Sequence, residues 1–401
     1  MCKLLRNIKL GVSPTCPDAE ILIKDGKIAA IGMSLSADGA EVIDGRGLVA
    51  LPAFVDLHAH FRDPGLLYKE DIESGCRAAV AGGFTTVSLM ANTKPVCSSM
   101  DTVRYVLEKA EQLGLCEIHQ CASITKDFDG KTLTHIAGLE EPVRFLSDDG
   151  VGVKDTGVML EAMRVAKEKN FGLMLHEEDP ALKDVDMYLA EEIMTARDIE
   201  LAKLTGCRVH FCHVSTARAV SEMFSVRMNG DNPNITCEVT PHHLFLNDET
   251  DYRVAPPLRG EAHRQVLIEM LQHGFVDAIA TDHAPHTPED KQNGANGISG
   301  LDLCFATCYT GLVRAGFLTL PQLSEKLSGN PAVILGVGDR KGRLEPGYDA
   351  DIVLVDTETS FVAAESDLVS RGKNTPMLGK ELYGAVRMTL KKGETVFEKH
   401  R

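Results

Sequence analysis

The chain has 401 residues, of which 44% are hydrophobic and 25% charged, and carries a formal net charge of −16. That length exceeds one small core, so two domains are expected, and the acidity argues against nucleic acid and anionic membrane surfaces as partners. No stretch reaches the ~18 apolar residues that a membrane-spanning helix needs.

Residues 1 to 50 read as short strands with tight turns. Ile21-Leu-Ile-Lys and Lys27-Ile-Ala-Ala-Ile are two β runs joined at Asp25-Gly26, a strong hairpin signal. From there the pattern changes to strands alternating with amphipathic helices. Strands are predicted near 52–60, 84–91, 116–124, 143–149, 171–177, 208–215, 235–243 and 276–284, with helical runs such as 155–169 and 191–205 between most of them. Eight such repeats predict an α/β fold, a parallel (β/α)8 TIM-type barrel over 51–335. After it the texture of the first residues returns: 347–356 is a strand behind a turn, and 386–397 holds two more around Lys392-Gly393. Neither end could bury a core alone. Together, 1–50 and 336–401 predict one small composite β-sandwich domain.

The cysteines number eleven, an odd count at irregular spacing, and Cys121, Cys212 and Cys237 lie inside apolar runs. They read as reduced core thiols, and Cys304 with Cys308, four apart on a helical run, as core packing rather than a metal pair. No leader-like apolar stretch follows the opening Met-Cys-Lys-Leu-Leu-Arg. A cytoplasmic protein is expected.

In a barrel of this kind the active site lies at the C-terminal ends of the strands. The first strand ends in His58-Ala-His60, the fourth in Asp148-Asp149, the fifth in His176, the sixth in His213, and the eighth in Asp282-His-Ala-Pro-His286. Alternate residues of a strand share a face, so His58 and His60 can grip one ion. Four histidines and two aspartates exceed what one tetrahedral zinc uses, whereas two ions about 3.5–4 Å apart need five or six ligands and a bridging carboxylate. The reading therefore assigns His58, His60 and Asp282 to one divalent ion, His176 and His213 to a second, and Asp149 to the bridge. A hydroxide shared by the ions would be the nucleophile, and Asp282 the general base that later returns the proton as an acid. Zinc suits these ligands best, although cobalt and manganese also accept them. Asp148 is an alternative bridge, as is a carboxylated Lys154. His242 and His243, at the end of the seventh strand, read as supporting or packing residues, and His119 and His210 as structural. The glycine-rich stretch 294–300 reads as a mobile lid.

The segments His58-Ala-His60-Phe-Arg-Asp-Pro-Gly, Ala91-Asn92-Thr, Ser147-Asp-Asp-Gly, Cys212-His213-Val-Ser, Val239-Thr-Pro-His-His, Pro256-Pro-Leu-Arg and Ala280-Thr-Asp-His-Ala-Pro-His occur in an order that resembles the dihydroorotases, in particular their bacterial class I form within the amidohydrolase superfamily. The resemblance implies reversible cyclisation of N-carbamoyl-L-aspartate to L-dihydroorotate in pyrimidine biosynthesis. It implies Arg62, Asn92 and His286 as substrate contacts, with main-chain contacts at Asn296 and Gly297. Three departures stand out. Ala255 replaces an Asn common before Pro-Pro-Leu-Arg, Asn296-Gly297 replaces a Phe-Gly pair, and the stretch from His176 to His213 is short. Rival readings are a hydantoinase- or allantoinase-type cyclic amidase, and a non-catalytic partner of aspartate transcarbamoylase, although such partners lose metal ligands and this chain keeps the set. Beside the small-molecule substrate, a homodimer and association with aspartate transcarbamoylase are the partners considered.

Overall fold

The structure, a computed structural model, describes residues 2–36, 38–230 and 234–399. Eight parallel strands form the barrel: Phe54–Ala59, Phe84–Leu89, Glu117–Gln120, Phe145–Leu146, Gly172–Leu175, Val209–Phe211, Ile235–Val239 and Ala278–Ile279. Three pair as one sheet and five as another, and single bridges Ala122–Leu146 and Ala59–His283 close the ring. Strands buried on both faces need continuous apolar runs, and every residue of Phe54–Ala59 and Phe84–Leu89 is buried. Met174 and Cys212 pack inside the barrel with Val55, Leu57 and Phe145, while Leu173, Leu175, Val209 and Phe211 face the helices. All eleven cysteines are free and nine are buried; burial pushes the Cys121 thiol up to about 11 and Cys237 to about 12. These are inert packing groups.

The ladders are shorter than the sequence predicts. Residues beyond each ladder leave the sheet as the loops that carry the site, and the predicted end of the seventh strand is a short helix, Pro241–Phe245, that holds His242 and His243. The predicted helices appear as Thr156–Glu168 and Met187–Thr205, begun by Asp155 and Asp186 side chains that accept from free N–H groups of the first turn. The third connection has only two 3-10 turns, Lys126–Phe128 and Thr134–Gly138. Its Asp129 side chain accepts from the Lys131 and Thr132 amides at 2.9 and 2.8 Å, a local bond that competes with helix.

Both chain ends share one seven-stranded sheet. Its order is Glu394–Glu398, Ala385–Lys391, Ile352–Asp356, Glu41–Pro52, Cys2–Leu10, Asp18–Lys24, Lys27–Gly32. Two of its hairpins turn at Asp25-Gly26 and Lys392-Gly393, all four residues at positive φ as a type I′ turn requires. Ala50, Ile352 and Leu354 face the sheet's own core, whereas Val49, Leu51, Val353 and Val355 join the barrel core. The C-terminal segment does not stay with this sheet. Ala363, Leu368, Met377 and Leu382 pack with Leu246, Val254 and Ile298 of the barrel loops.

Glu117, at the start of the third barrel strand, joins the two parts. Its carboxylate accepts from Arg340 and lies 3.5 Å from Lys341 Nζ and 3.0 Å from His119 Nε2. Burial opposes the charge, but these partners outweigh it and hold the carboxyl well below its usual 4.5. A depressed carboxyl stabilises the fold above its unfolded pKa and loses that contribution as pH falls toward the folded one. Glu117→Gln is expected to cost about 1–3 kcal/mol at pH 7. Urea unfolding should show that cost at pH 5 and a smaller one at pH 3; a cost independent of pH would contradict the assignment.

Candidate active site

The C-terminal ends of the strands bring six side chains together. His58 lies inside the first ladder, and His60 follows it with its amide bonded to His283 O at 2.8 Å. Asp56, on the same strand, accepts from the Thr281 amide at 2.9 Å and from its hydroxyl, which fixes the eighth strand beside the first. Asp149, His176, His213 and Asp282 sit one to three residues past their ladders. Arg62, His213 and Asp282 have φ of 61°, 35° and 47°. Non-glycine residues in this left-handed region are strained, and such strain persists where the surroundings hold a functional geometry.

Four ring nitrogens converge on Asp149. His58 Nε2, His176 Nδ1 and His213 Nε2 lie 3.3, 3.4 and 3.4 Å from its Oδ1, and His60 Nε2 lies 3.5 Å from Oδ2. Asp282 Oδ1 is 3.1 Å from His60 Nε2 and 3.6 Å from His58 Nε2. Asp149 therefore belongs to two ligand triads at once, one with His58 and His60 and one with His176 and His213. His58 Nε2 and Asp149 Oδ1 are buried without a hydrogen bond. Burial would lower the His176 pKa, yet Asp149 and Glu178 carry it up to about 10. Burial would likewise raise Asp282, but the His60 hydrogen bond and the charges of His58, His60 and His213 hold it below the usual carboxylate range. An imidazole–carboxylate cluster this rich in negative charge, with orphaned donor atoms, fits a pair of divalent cations.

Around this set stand residues that fix the rings. Glu238, buried in the seventh strand, accepts from His58 Nδ1 and His210 Nε2, each at 3.0 Å. Burial opposes its charge, and the two histidines nevertheless pull it down to about 2. With Nδ1 donating to a carboxylate, the lone pair of His58 is left on Nε2, the atom that faces Asp149. Asn92 Oδ1 lies 2.8 Å from His60 Nδ1 and plays the same part there. Asp148 points the other way and accepts from the Ile124 and Thr125 amides at 2.7 and 3.1 Å. Lys154 is exposed just before the helix Thr156–Glu168, and its carbonyl accepts from Arg197. His243 bonds Thr240 at 2.7 Å and Pro256 O at 3.1 Å, and His242 is buried beside it. His119 pairs with Glu117.

A cavity of about 320 Å³ opens on the cluster and is lined by Arg62, Asn92, Ala255, His286, Asn296 and Gly297 as well as by ligand residues, Glu178 and Lys183. The Arg62 Nε is buried without a partner, and its Nη2 lies 3.4 Å from His286 Nε2. Lys69 Nζ lies 3.2 Å from His286 Nδ1. Both cations can only donate, and a neutral imidazole has one ring lone pair to offer, so His286 accepts from one of the two. Burial, then Arg62 and Lys69, push the His286 pKa down to about 3, so the ring is neutral. The stretch 294–300 forms a wall. Ile298 and Ser299 are buried, and Ile298 O accepts from the Ala284 amide at 2.8 Å.

Sequence reasoning missed Glu238, Lys69 and the C-terminal residues that reach this rim. A lone glutamate in the apolar run Ile235-Thr-Cys-Glu-Val239 was a signal for the first.

A model of the amidohydrolase family, whose members use a divalent metal centre, matches residues 49–396. The chain is 48% identical over 383 residues to a dihydroorotase of Clostridium botulinum, covering 95% of both, and 37% identical to one of Ligilactobacillus salivarius, covering 100% of this chain and 99% of that one. Among solved structures it superposes on the L-hydantoinase of Arthrobacter aurescens with a TM-score of 0.90 at 25% identity, covering 100% of this chain and 96% of that one. The dihydropyrimidinase of Brevibacillus agri gives 0.86 at 26%, covering 99% and 95%. Among the described residues no helix is long and apolar enough to cross a membrane. Matched along nearly its whole length, the chain belongs to the amidohydrolase family and, within it, to the dihydroorotases.

Proposed function

We propose that the chain interconverts L-dihydroorotate and N-carbamoyl-L-aspartate in pyrimidine biosynthesis. One observation carries the substrate: the cavity that opens on the metal-ligand cluster also holds the Arg62 guanidinium, whose buried Nε has no partner. A cyclic amide bearing a carboxylate supplies that partner. His58, His60, Asp149, His176, His213 and Asp282 would hold two divalent ions, zinc being the best suited to these ligands, and the ions would supply Lewis acidity and a water acidified for attack. Arg62 clamps the substrate carboxylate, with Asn92 and His286 completing the contact. Main-chain groups at Asn296 and Gly297 border the ring. Asp282 accepts a proton at Oδ1 and returns it to the ring nitrogen as the amide bond opens. In the closing direction the same carboxylate removes that proton. The eleven free cysteines suit a reducing compartment, and the cytoplasm is the proposed location.

A hydantoin-type ring is the second reading, favoured by the superposition on hydantoinases. The two readings share a metal site and differ in the carboxylate that Arg62 would meet. Zinc-loaded protein should open L-dihydroorotate quickly while hydantoin and allantoin turn over at least about 100-fold more slowly, a discrimination that a buried charged partner can supply. A chelator should abolish the activity and added zinc restore it. Faster turnover of an uncharged ring would transfer the assignment to the second reading.

A further inference from the structure

Residues 370–375 form a strap far from the barrel in sequence, yet they lie against the loops that follow its first and eighth strands. Ser370 Oγ donates to the buried Glu70 of the first loop, and the Arg371 amide donates to the same carboxylate at 3.2 Å. Glu70 in turn is 3.4 Å from His283 Nε2. At Gly372 a Cβ would stand 2.6 Å from Pro285 Cβ and 3.0 Å from the His286 amide nitrogen, so the strap approaches closely enough to exclude any side chain there.

Asn374 is the point of engagement. Its Oδ1 accepts from the His286 amide and from Ser299 Oγ, both at 2.8 Å. Its Nδ2 donates to Ala284 O at 3.2 Å and Gly297 O at 3.1 Å. Its own carbonyl accepts from the Ser299 amide at 2.8 Å. Two acceptor and two donor positions are all that a carboxamide side chain offers, and here each is used. The partners are the two legs of one loop, the outgoing one at 284–286 and the returning one at 297–299. Those legs carry His286 and Gly297, which line the substrate cavity.

We infer that Asn374 is a positioning residue for substrate binding: it clamps both legs of the loop after the eighth strand and thereby sets the place of His286 and of the Gly297 main chain. It touches neither the ligand cluster nor the cavity around it, so it acts through the loop. This rests on the dihydroorotase reading of the cavity. Removing the clamp leaves Asp282 and the histidine cluster in place, so binding should suffer and the chemical step should not.

Asn374→Ala is expected to raise KM for L-dihydroorotate about tenfold with kcat within about threefold and zinc content unchanged. In a His286→Ala background the same substitution should raise KM by less than about threefold, because residues acting as one unit are not additive. Amide exchange followed by mass spectrometry should rise about tenfold in peptides covering 284–299 and stay unchanged in the barrel strands. Where Asn374→Ala does not accumulate, Asn374→Asp, which sets an acceptor-only oxygen against the Ala284 and Gly297 carbonyls and so breaks the two donated bonds, serves in the same cycle. Equal KM effects in both backgrounds, or exchange rising throughout the barrel, would overturn the inference. Wild-type protein that leaves dihydroorotate unopened would sink the substrate reading alone, since exchange in 284–299 still decides the clamp.

Discussion

Asp282→Asn is expected to lower kcat for dihydroorotate ring opening by about 10²–10⁴-fold, the range that general acid–base catalysis supplies. The carboxylate stands 3.1 Å from His60 Nε2 and 3.6 Å from His58 Nε2, at a positive φ of 47° that places it past the eighth ladder and over the cluster. Its neighbours keep it ionised despite full burial, so it is an acceptor throughout the neutral range. Asparagine preserves shape and one oxygen but offers no basic atom there. The measurement is kcat at saturating zinc, with metal content determined on the same samples. Full activity with bound metal would remove Asp282 as the proton carrier. Loss of activity that excess zinc reverses would make it a ligand and nothing more.

The His-x-His pair, the two aspartates and the single histidines were legible because each follows an apolar strand run, where few residues can be polar without purpose. Asp148 stayed open as an alternative bridge because adjacent strand residues face opposite ways and either could serve; in the structure Asp148 faces the Ile124 and Thr125 amides and Asp149 the histidines. Strand length was not legible. In the barrel, the residues after the ladder are still apolar and still buried, so composition alone extends Val209–Phe211 to His213 and beyond. The third connection failed for another reason, since its Asp129 and Thr132 bond locally instead of letting a helix form.

Asn374 marks the deeper limit. Its surroundings in sequence, Gly372-Lys-Asn-Thr-Pro, read as a turn, and nothing local states that its partners lie 75 to 90 positions earlier. Local patterns report periodicity and chemistry. They do not report which loop a distant segment will brace. The seven-stranded sheet shows the contrast, because its two Xaa-Gly turns mark two of its hairpins without any long-range information.

Arg62→Met should lower kcat/KM for L-dihydroorotate by about 10³-fold, the worth of two charge-assisted hydrogen bonds, while zinc content stays unchanged. The guanidinium is fixed by a backbone at φ 61° and rests 3.4 Å from His286, with a buried Nε that no protein atom satisfies. Burial pulls its pKa down, yet it stays a cation, since an arginine is not deprotonated in a protein. Methionine fills the same volume without charge, so the loss measures carboxylate recognition rather than a cavity. Arg62→Lys should recover only part of it, because an ammonium cannot make the planar two-point contact. Slow turnover of hydantoin, which has no carboxylate, should change less than about threefold. If Arg62→Met keeps wild-type activity, the carboxylate is read by another cation at the cavity, and Lys183, which lines it from the loop after the fifth strand, is the next residue to replace.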